Sequence, residues 1–194
     1  MTVIRIRYQS TNCYFIDTGR GLLAFDAGWP NTYREYKDCL KEQGYLVKNI
    51  KWLIVSHFHI DHAGLAGILS EHGVTFVVFR NQVDAIQEME SLIERKKMTY
   101  HKLDLSQVHI MEIGDSRKWL ESIGIRGEVL HTNGHGEQSI SLILDDGDAF
   151  IGDLAPENMI GDDDWKSKNS WDLLKSKGAR QIRPAHANEY SMSD

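Results

Sequence analysis

Residues 57 to 62 are the segment of the chain best suited to chemistry. They read His57-Phe58-His59-Ile60-Asp61-His62, which places three imidazoles and one carboxylate within six positions. Neutral imidazole nitrogens and ionised carboxylate oxygens are preferred donors for divalent metal ions. A polar surface loop is the alternative interpretation, but chance rarely produces this combination at this spacing. The segment therefore predicts a metal site and, with it, a metalloenzyme.

The residues around this motif predict a turn between a strand and a helix. Residues 52–56 are apolar and rich in β-branched side chains, whereas residues 63–71 have helical spacing. Side chains at i and i+2 of an extended segment share one side, so His57 and His59 can reach one ion. The aspartate and the last histidine of the motif lie at the turn into the helix and can face a second ion. Local geometry thus makes two metal ions plausible.

Further candidate ligands lie where predicted strands end. His135 is bracketed by two glycines after one strand, Asp153 follows a glycine at the end of another, and His186 comes directly after the last strand. Loops at strand ends are where a rigid scaffold brings functional side chains together. Taken one by one, these residues are as well explained as ordinary turn residues. Together with the first motif, the balance shifts towards ligands.

The hydrophobic pattern predicts two strand-rich halves, each finished by helices. Strands are expected at residues 2–8, 12–17, 22–26, 52–56, 75–79, 127–131, 139–144, 149–151 and 180–183, and helices at 31–43, 63–71, 82–94 and 170–177. This order favours an α/β fold in which two sheets pack face to face with helices outside. The expected architecture is a four-layer αββα sandwich.

Composition limits the class of protein. The chain has 194 residues, of which 41% are hydrophobic and 26% charged, so it can enclose one core and we expect a single domain over residues 1–194. No apolar run approaches the roughly 18 to 20 residues that span a bilayer, and residues 1–8 alternate like a strand instead of forming the apolar block of a signal peptide. We therefore expect a cytoplasmic protein that does not bind membranes.

Charge and cysteine content limit the kinds of molecule that the protein is expected to bind and the roles of its two cysteines. The net charge is −6, and no run of Lys and Arg is present, which argues against nucleic acid because its binding requires a basic surface. A small-molecule substrate fits better, and the oligomeric state is left open. Cys13 and Cys39 lie in a strand-like and a helix-like run, so we expect buried thiols and neither a disulfide nor a thiolate ligand.

The motifs taken together resemble the metallo-β-lactamase superfamily, in its dinuclear, glyoxalase- and lactonase-like hydrolase branch. The resemblance rests on H-x-H-x-D-H at 57–62, Gly134-His135, Gly152-Asp153 and Pro184-Ala185-His186, in that order over nearly the whole chain. It implies the αββα fold, with one metal held by His57, His59 and His135, a second held by Asp61, His62 and His186, and Asp153 bridging both. It further implies that Asp26, in Phe25-Asp26-Ala27-Gly28, supports the metal loops from behind the ligands, with a plain turn role as the alternative.

This ligand set implies hydrolysis. Two divalent ions are expected, zinc by default with iron or manganese as alternatives. Two aspartates against two dications leave a net charge of about +2, which favours ionisation of a bridging water. The resulting hydroxide would attack an ester, thioester, lactone or phosphodiester of a small molecule, and Asp61 is a candidate to shuttle the proton.

Differences from other branches of the superfamily narrow the substrate. True β-lactamases lack the bridging aspartate, so antibiotic hydrolysis is not expected. Eight residues follow His186, so the helical glutathione-binding domain of hydroxyacylglutathione hydrolases is not expected either. Neither is the extended arm of the tRNA-processing ribonucleases. Flavodiiron proteins have Glu where His59 stands.

Two other classes of function stay open at the level of sequence. Persulfide dioxygenases share these ligands but use one iron, held by residues equivalent to His57, His135 and Asp153. A binding or signalling module with little hydrolysis is the other possibility, because fold and biological role are separable. Metal content and oxygen uptake distinguish the oxygenase from the hydrolase.

Substrate selection is predicted in residues 82–103 and 155–169, which follow strand ends near the ligands. Met98, Tyr100 and Met159 have polar neighbours, so we expect them to line an apolar pocket mouth and not to join a core. Tyr100 can also donate to an oxyanion. His131, four residues before His135, is expected to be hydrogen-bonded and not a ligand.

Overall fold

The structure, a computed structural model, describes residues 1–192 and forms two compact units, residues 1–111 and the residues from 112 onwards. The first unit contains a six-stranded sheet in the order β1-β2-β3-β4-β5-β6. Its strands are β1 (Val3–Tyr8), β2 (Thr11–Asp17), β3 (Leu22–Phe25), β4 (Ile50–Ile54), β5 (Thr75–Phe79) and β6 (His109–Met111). Its helices are α1 (Tyr33–Glu42), α2 (Ile60–Ala63), α3 (Ala66–Glu71) and α4 (Val83–Arg95).

Strand polarity in this sheet determines where loops meet. The first three strands pair antiparallel, whereas β3, β4, β5 and β6 run parallel to one another. Phe25 at the end of β3 is opposite Ile54 at the end of β4. Because parallel strands end at the same edge of a sheet, the residues that follow these two strands are neighbours.

Helices of the first unit pack on this sheet through periodic apolar faces. The helix α1 buries Tyr36 and Leu40, and α4 buries Ile86, Met89 and Ile93, three and four residues apart. These side chains join the inward residues of the strands in one core cluster. Full burial of such a side chain contributes about 1.5–3 kcal/mol, so the loops at the strand ends are attached to a rigid platform.

The second unit contains a five-stranded sheet in the order β11-β10-β9-β8-β7. Its elements are α5 (Ser116–Ser122), β7 (Gly127–His131), β8 (Ile140–Leu144), β9 (Asp148–Gly152), α6 (Trp165–Ser176), β10 (Gln181–Pro184) and β11 (Tyr190–Ser191). Only β9 and β10 pair parallel in this sheet; the other pairs are antiparallel. Trp171 and Leu174 of α6 pack with Ile151 and Ile182 in the core.

The prediction of one continuous helix over residues 63–71 is wrong. The structure divides this stretch into α2 and α3, and α2 begins inside the histidine motif. The break has a physical cause, since the Gly64 amide donates to the carbonyl of Gly28 at 2.8 Å. A Cβ atom at Gly64 would also lie 2.2 Å from the backbone nitrogen of Pro30. Close contact with the loop after β3 therefore ends the first helix.

One further helix prediction needs correction, and one helix was not predicted. Helix α6 begins at Trp165 and not at residue 170, because the Asp164 carboxylate accepts a hydrogen bond from Ser167 N at 3.1 Å and caps an earlier turn. Helix α5 was not predicted; it is short and buries only Ser116 and Leu120, which is too few residues for a clear periodic signal.

Two strand predictions and one cysteine prediction agree with the structure. The strands at 75–79 and 127–131 have the predicted bounds. Cys13 is a buried free thiol, as expected, whereas Cys39 is a free thiol that is only half-buried. No helix within residues 1–192 combines the length and apolar character needed to cross a bilayer. A single domain over residues 1–194 stays a prediction.

Candidate metal centre

The histidine motif of the first unit starts just beyond β4 and ends in the first turn of α2. His57 and His62 are 1% and 0% exposed, whereas His59 stands at the N-cap position of α2 and is exposed. Asp61 is half-buried. The motif therefore has two buried imidazoles and two donors that are open to solvent.

Donor atoms within the motif form two pairs. His57 Nε2 and His59 Nδ1 lie 2.9 Å apart, and His62 Nε2 lies 3.5 Å from Asp61 Oδ2. Two donors on one tetrahedral zinc ion at ordinary bond lengths are about 3.3 Å apart. Both separations are close to that value, so each pair fits two positions of a metal coordination shell.

Asp26 lies behind these ligands. It follows β3, is 1% exposed and adopts a left-handed backbone conformation with φ of 69°. Its Oδ1 accepts a hydrogen bond from Ser56 N at 2.7 Å, and its Oδ2 accepts from Ser56 Oγ at 3.0 Å and from His62 Nδ1 at 2.9 Å. A non-glycine residue at positive φ carries strain. Here two hydrogen bonds from Ser56, in the loop before α2, and one from His62, within α2, accompany it.

Ser56 extends this network to the other buried imidazole. Its Oγ lies 3.0 Å from His57 Nδ1. The single hydroxyl hydrogen is donated to the Asp26 carboxylate, which can only accept, so His57 Nδ1 must carry a hydrogen and donate it to Ser56 Oγ. By the same reasoning His62 Nδ1 donates to Asp26. Both rings are thereby held in the tautomer that leaves Nε2 available for a metal ion.

Two residues of β2 border the motif. Thr11 is fully buried, and its Oγ1 donates to Asp61 Oδ2 at 3.3 Å. Burial raises the pKa of the Cys13 thiol well above its usual range, and the nearby Asp26 and Asp61 carboxylates raise it further. Burial and the neighbouring carboxylates thus favour the protonated form of this thiol.

The second unit places three of the predicted ligands together. Asp153 Oδ2 lies 3.7 Å from His135 Nε2, and Asp153 Oδ1 lies 3.2 Å from His186 Nε2. The two oxygens of one carboxylate thus lie near two different imidazoles. These separations also fall near the donor spacing of about 3.3 Å in a tetrahedral site. A carboxylate in this arrangement can bridge two cations.

Packing against α6 holds the loop that carries His135. Ser167 Oγ donates to Gly134 O at 3.2 Å, and Lys166 forms an ion pair with Glu137. His131 Nε2 donates to Glu137 O at 2.6 Å, and burial lowers the pKa of this ring. His131 is therefore a hydrogen-bonded residue, as the sequence predicted.

The proposed pocket residues have different surroundings. Met98 and Tyr100 pack, half-buried, against the core of the first unit, and burial raises the pKa of Tyr100. The expectation that they stand apart from a core because their neighbours are polar is therefore wrong. Met159 is 75% exposed in the turn Glu157–Met159. Contact of these three residues with substrate stays a prediction.

Sequence analysis did not identify Thr11 and Ser56 as partners of the ligands. Ser56 directly precedes the motif, and its position was the only available signal. Thr11 carries no local signal, because it lies 50 residues from Asp61 and reaches it only through the pairing of the strands.

Known proteins share this architecture. The model of the family described as "Metallo-beta-lactamase superfamily" matches residues 7–190. A solved metallo-beta-lactamase family protein from Thermus thermophilus is similar at 19% identity with a TM-score of 0.73, covering 97% of this chain and 74% of that one. The FEZ-1 metallo-beta-lactamase from Legionella gormanii is similar at 20% identity with a TM-score of 0.70, covering 92% and 74%. The protein TTHA1623 in a di-iron-bound form is similar at 19% identity with a TM-score of 0.70, covering 98% and 94%.

These matches confirm the expected fold class, because structures at this level of identity share the fold over nearly the whole chain. They also agree with the family that the ligand motifs resemble. The chain belongs to the metallo-β-lactamase superfamily.

Proposed function

We propose that the protein is a metal-dependent hydrolase with a dinuclear centre. The observation that carries this proposal is the Asp153 carboxylate, which presents one oxygen to His135 and the other to His186. A carboxylate that only oriented one histidine would have to contact one imidazole and not two. Members of the superfamily are mostly metal-dependent hydrolases, which supports the same reaction class.

The donor set fits borderline divalent metals. Imidazole and carboxylate donors suit zinc, iron and manganese, and the metal-capable clusters found among residues 1–192 contain no cysteine. Zinc is our default assignment. Iron is a candidate because one similar solved structure, TTHA1623, is in a di-iron-bound form.

The proposed assignment follows the order of the ligands along the chain. His57, His59 and His135 would hold one cation, Asp61, His62 and His186 would hold the other, and Asp153 would serve both. The pairs within each unit agree with this division. When bound, two divalent cations polarise a carbonyl or phosphoryl oxygen and lower the pKa of water, which makes a nucleophile available near neutral pH.

The protein's own residues prepare this chemistry. Asp26 and Ser56 hold the Nδ1 hydrogens of His57 and His62, so both rings present Nε2. Asp61, which is partly open to solvent at 15% exposure, is our candidate for the group that accepts the proton of the attacking water and passes it to the leaving group. Thr11 fixes the orientation of that carboxylate through its hydrogen bond.

The proposed substrate is a small-molecule ester, thioester, lactone or phosphodiester. The test begins with protein purified without added metal, followed by metal quantification and a panel of these four substrate types. We expect close to two equivalents of transition metal and hydrolysis of at least one type. One equivalent at saturation, accompanied by substrate-dependent oxygen uptake and dispensable Asp61 and His62, would replace the hydrolase with an iron oxygenase.

An Asp61→Asn variant tests the proton-transfer role. The amide keeps an oxygen but loses charge and basicity, so we expect kcat to fall by about 100-fold or more. The fold should be intact, and metal content should be compared by direct analysis. Asp38→Asn on the exposed face of α1 is the matched control and should behave as wild type. Unchanged kcat in Asp61→Asn would remove Asp61 from the reaction.

A further inference from the structure

The strand pairing of β4 stops just before the ligand motif begins. Pairing of β4 with β5 runs only as far as Leu53, and pairing with β3 only as far as Ile54. Val55 and Ser56 continue in the same direction and lead directly to His57. Both residues are buried, so their backbone groups require partners other than bulk water.

On one side of this segment, the Asp26 carboxylate accepts a hydrogen bond from Ser56 N. Gln82 lies on the other side. It ends the short turn Arg80–Gln82 that follows β5, and its side chain is fully buried. Its Nε2 donates to Val55 O at 3.0 Å and to Ser56 O at 3.3 Å.

The remaining group of the Gln82 amide is also used. Its Oε1 accepts a hydrogen bond from Phe79 N at 3.3 Å. One side chain therefore joins the last residue of β5 to the segment that precedes His57. It continues the sheet where the main-chain ladder between these strands has stopped.

Chemical complementarity explains the two residue types. A carboxylate can only accept, and Asp26 meets an N–H group; a primary amide has two hydrogens to donate, and Gln82 meets two carbonyls. Burial of a primary amide costs free energy unless its hydrogen bonds are made. An apolar side chain would fill this space without that requirement but would leave both carbonyls without these donors.

We propose that Gln82 is a positioning residue for the metal centre. It fixes the backbone of residues 55–56 and, through it, the position of His57 and of the Ser56 hydroxyl that accepts from His57 Nδ1. This inference rests on the proposed metal-binding function. Ligand geometry is sensitive to such support, since a shift of about 1 Å at a reacting group can cost about 100-fold in rate.

Gln82→Met tests this role, because it keeps a long side chain but removes both donors. The matched control is Ser116→Ala, which deletes another buried hydrogen bond from a side chain to the backbone, that of Val129 N to Ser116 Oγ at 3.0 Å. Three quantities are measured on each protein: thermal stability, zinc affinity by competition with a chelator, and amide hydrogen exchange of residues 54–60 without metal.

We expect both variants to lose thermal stability, and only Gln82→Met to bind zinc about 10- to 100-fold more weakly. Exchange in residues 54–60 should rise at least severalfold in that variant alone. Unchanged zinc affinity and exchange in Gln82→Met would overturn the proposal. An equal loss of zinc affinity in both variants would also overturn it, because it would show an effect of general stability.

Gln82→Asn provides a second variant in case Gln82→Met does not fold. It keeps the amide but is one methylene shorter, so it cannot reach both carbonyls and should show the same changes to a smaller extent. Wild-type zinc affinity and exchange in Gln82→Asn would contradict the proposal. If the wild-type protein binds no zinc, iron or manganese, the proposed function fails, whereas the exchange measured without metal still decides whether Gln82 fixes residues 55–56.

Discussion

The two units hold their candidate ligands by different means. In the first unit four donors lie within six consecutive residues, and the buried side chains of Thr11, Asp26 and Ser56 orient three of them, His57, Asp61 and His62. In the second unit His135, Asp153 and His186 come from the ends of three separate strands, and their side chains are 30%, 14% and 38% exposed. The loop that carries His135 packs on α6 through the hydrogen bond from Ser167 Oγ to Gly134 O.

The difference follows from backbone geometry. Consecutive residues of a strand or a helix point in different directions, so four ligands in one short segment need an irregular backbone and external partners. Ligands at the ends of paired strands obtain their positions from the ladder. In the second unit Pro184 is opposite Gly152, and Ala185 N donates to Gly152 O at 3.0 Å. This pairing brings Asp153 and His186 to one edge of the sheet.

Asp153→Ala should have the largest effect, because it removes the proposed bridge between the two cations. Loss of a partner one layer behind a ligand costs about 10- to 100-fold in metal affinity or activity, so loss of this ligand should exceed that range. Metal content and turnover should fall together. Asp162→Ala, in an exposed loop, is the control. Wild-type turnover in Asp153→Ala would show that the second unit does not contribute a bridge.

Asp26→Ala and Ser56→Ala test the buried support of the first unit. The Asp26 change deprives three donors of their acceptor and should weaken metal binding by about 100-fold, whereas the Ser56 change should cost about 10-fold. Each buried donor left without a partner should also lower stability by about 1–3 kcal/mol. Chelator competition and thermal unfolding measure both effects. A larger loss of metal affinity in Ser56→Ala than in Asp26→Ala would contradict the role of Asp26 as the main acceptor of this network.

Gly134→Ala tests the backbone support of the second unit. The added Cβ would lie 2.6 Å from both Leu154 Cδ1 and Ser167 Oγ, so the His135 loop or the start of α6 must shift. We expect a stability loss of about 1–3 kcal/mol and a smaller loss of metal affinity than in Asp26→Ala. Gly161→Ala has no atom within 4 Å of its new Cβ and should be neutral. Equal behaviour of the two variants would contradict the role of this packing.

Tyr100→Phe and Met159→Ala should have the smallest effects, and they ask which unit contacts substrate. We expect kcat/KM to fall by about tenfold at most for an apolar contact, with metal content unchanged. Steady-state kinetics over the active members of the substrate panel measures this. If neither variant changes kcat/KM, the pocket prediction is wrong for both units.

Much of the fold was accessible from sequence because its signals are local. The strand at 75–79 is a continuous apolar run, and α4 repeats apolar residues at helical spacing. Predictions were wrong where distant contacts decide the outcome, as in the break after α2, where the Gly64 amide bonds the Gly28 carbonyl. The expectation that Met98 and Tyr100 stand apart from a core was wrong for the same reason, since their neighbours in space differ from their neighbours in sequence.

By itself the sequence determined the chemical types of the candidate ligands, their order and their places at the ends of strands. Only the tertiary structure decided how they are held. It places Nε2 of His57 beside Nδ1 of His59, and it brings Asp26 and Gln82 to opposite sides of the segment before the motif. The physical reason is that the hydrogen bonds of Asp26 and Gln82 join residues 26 to 30 positions apart. Strand order and register, which depend on the whole sheet, determine whether such residues meet.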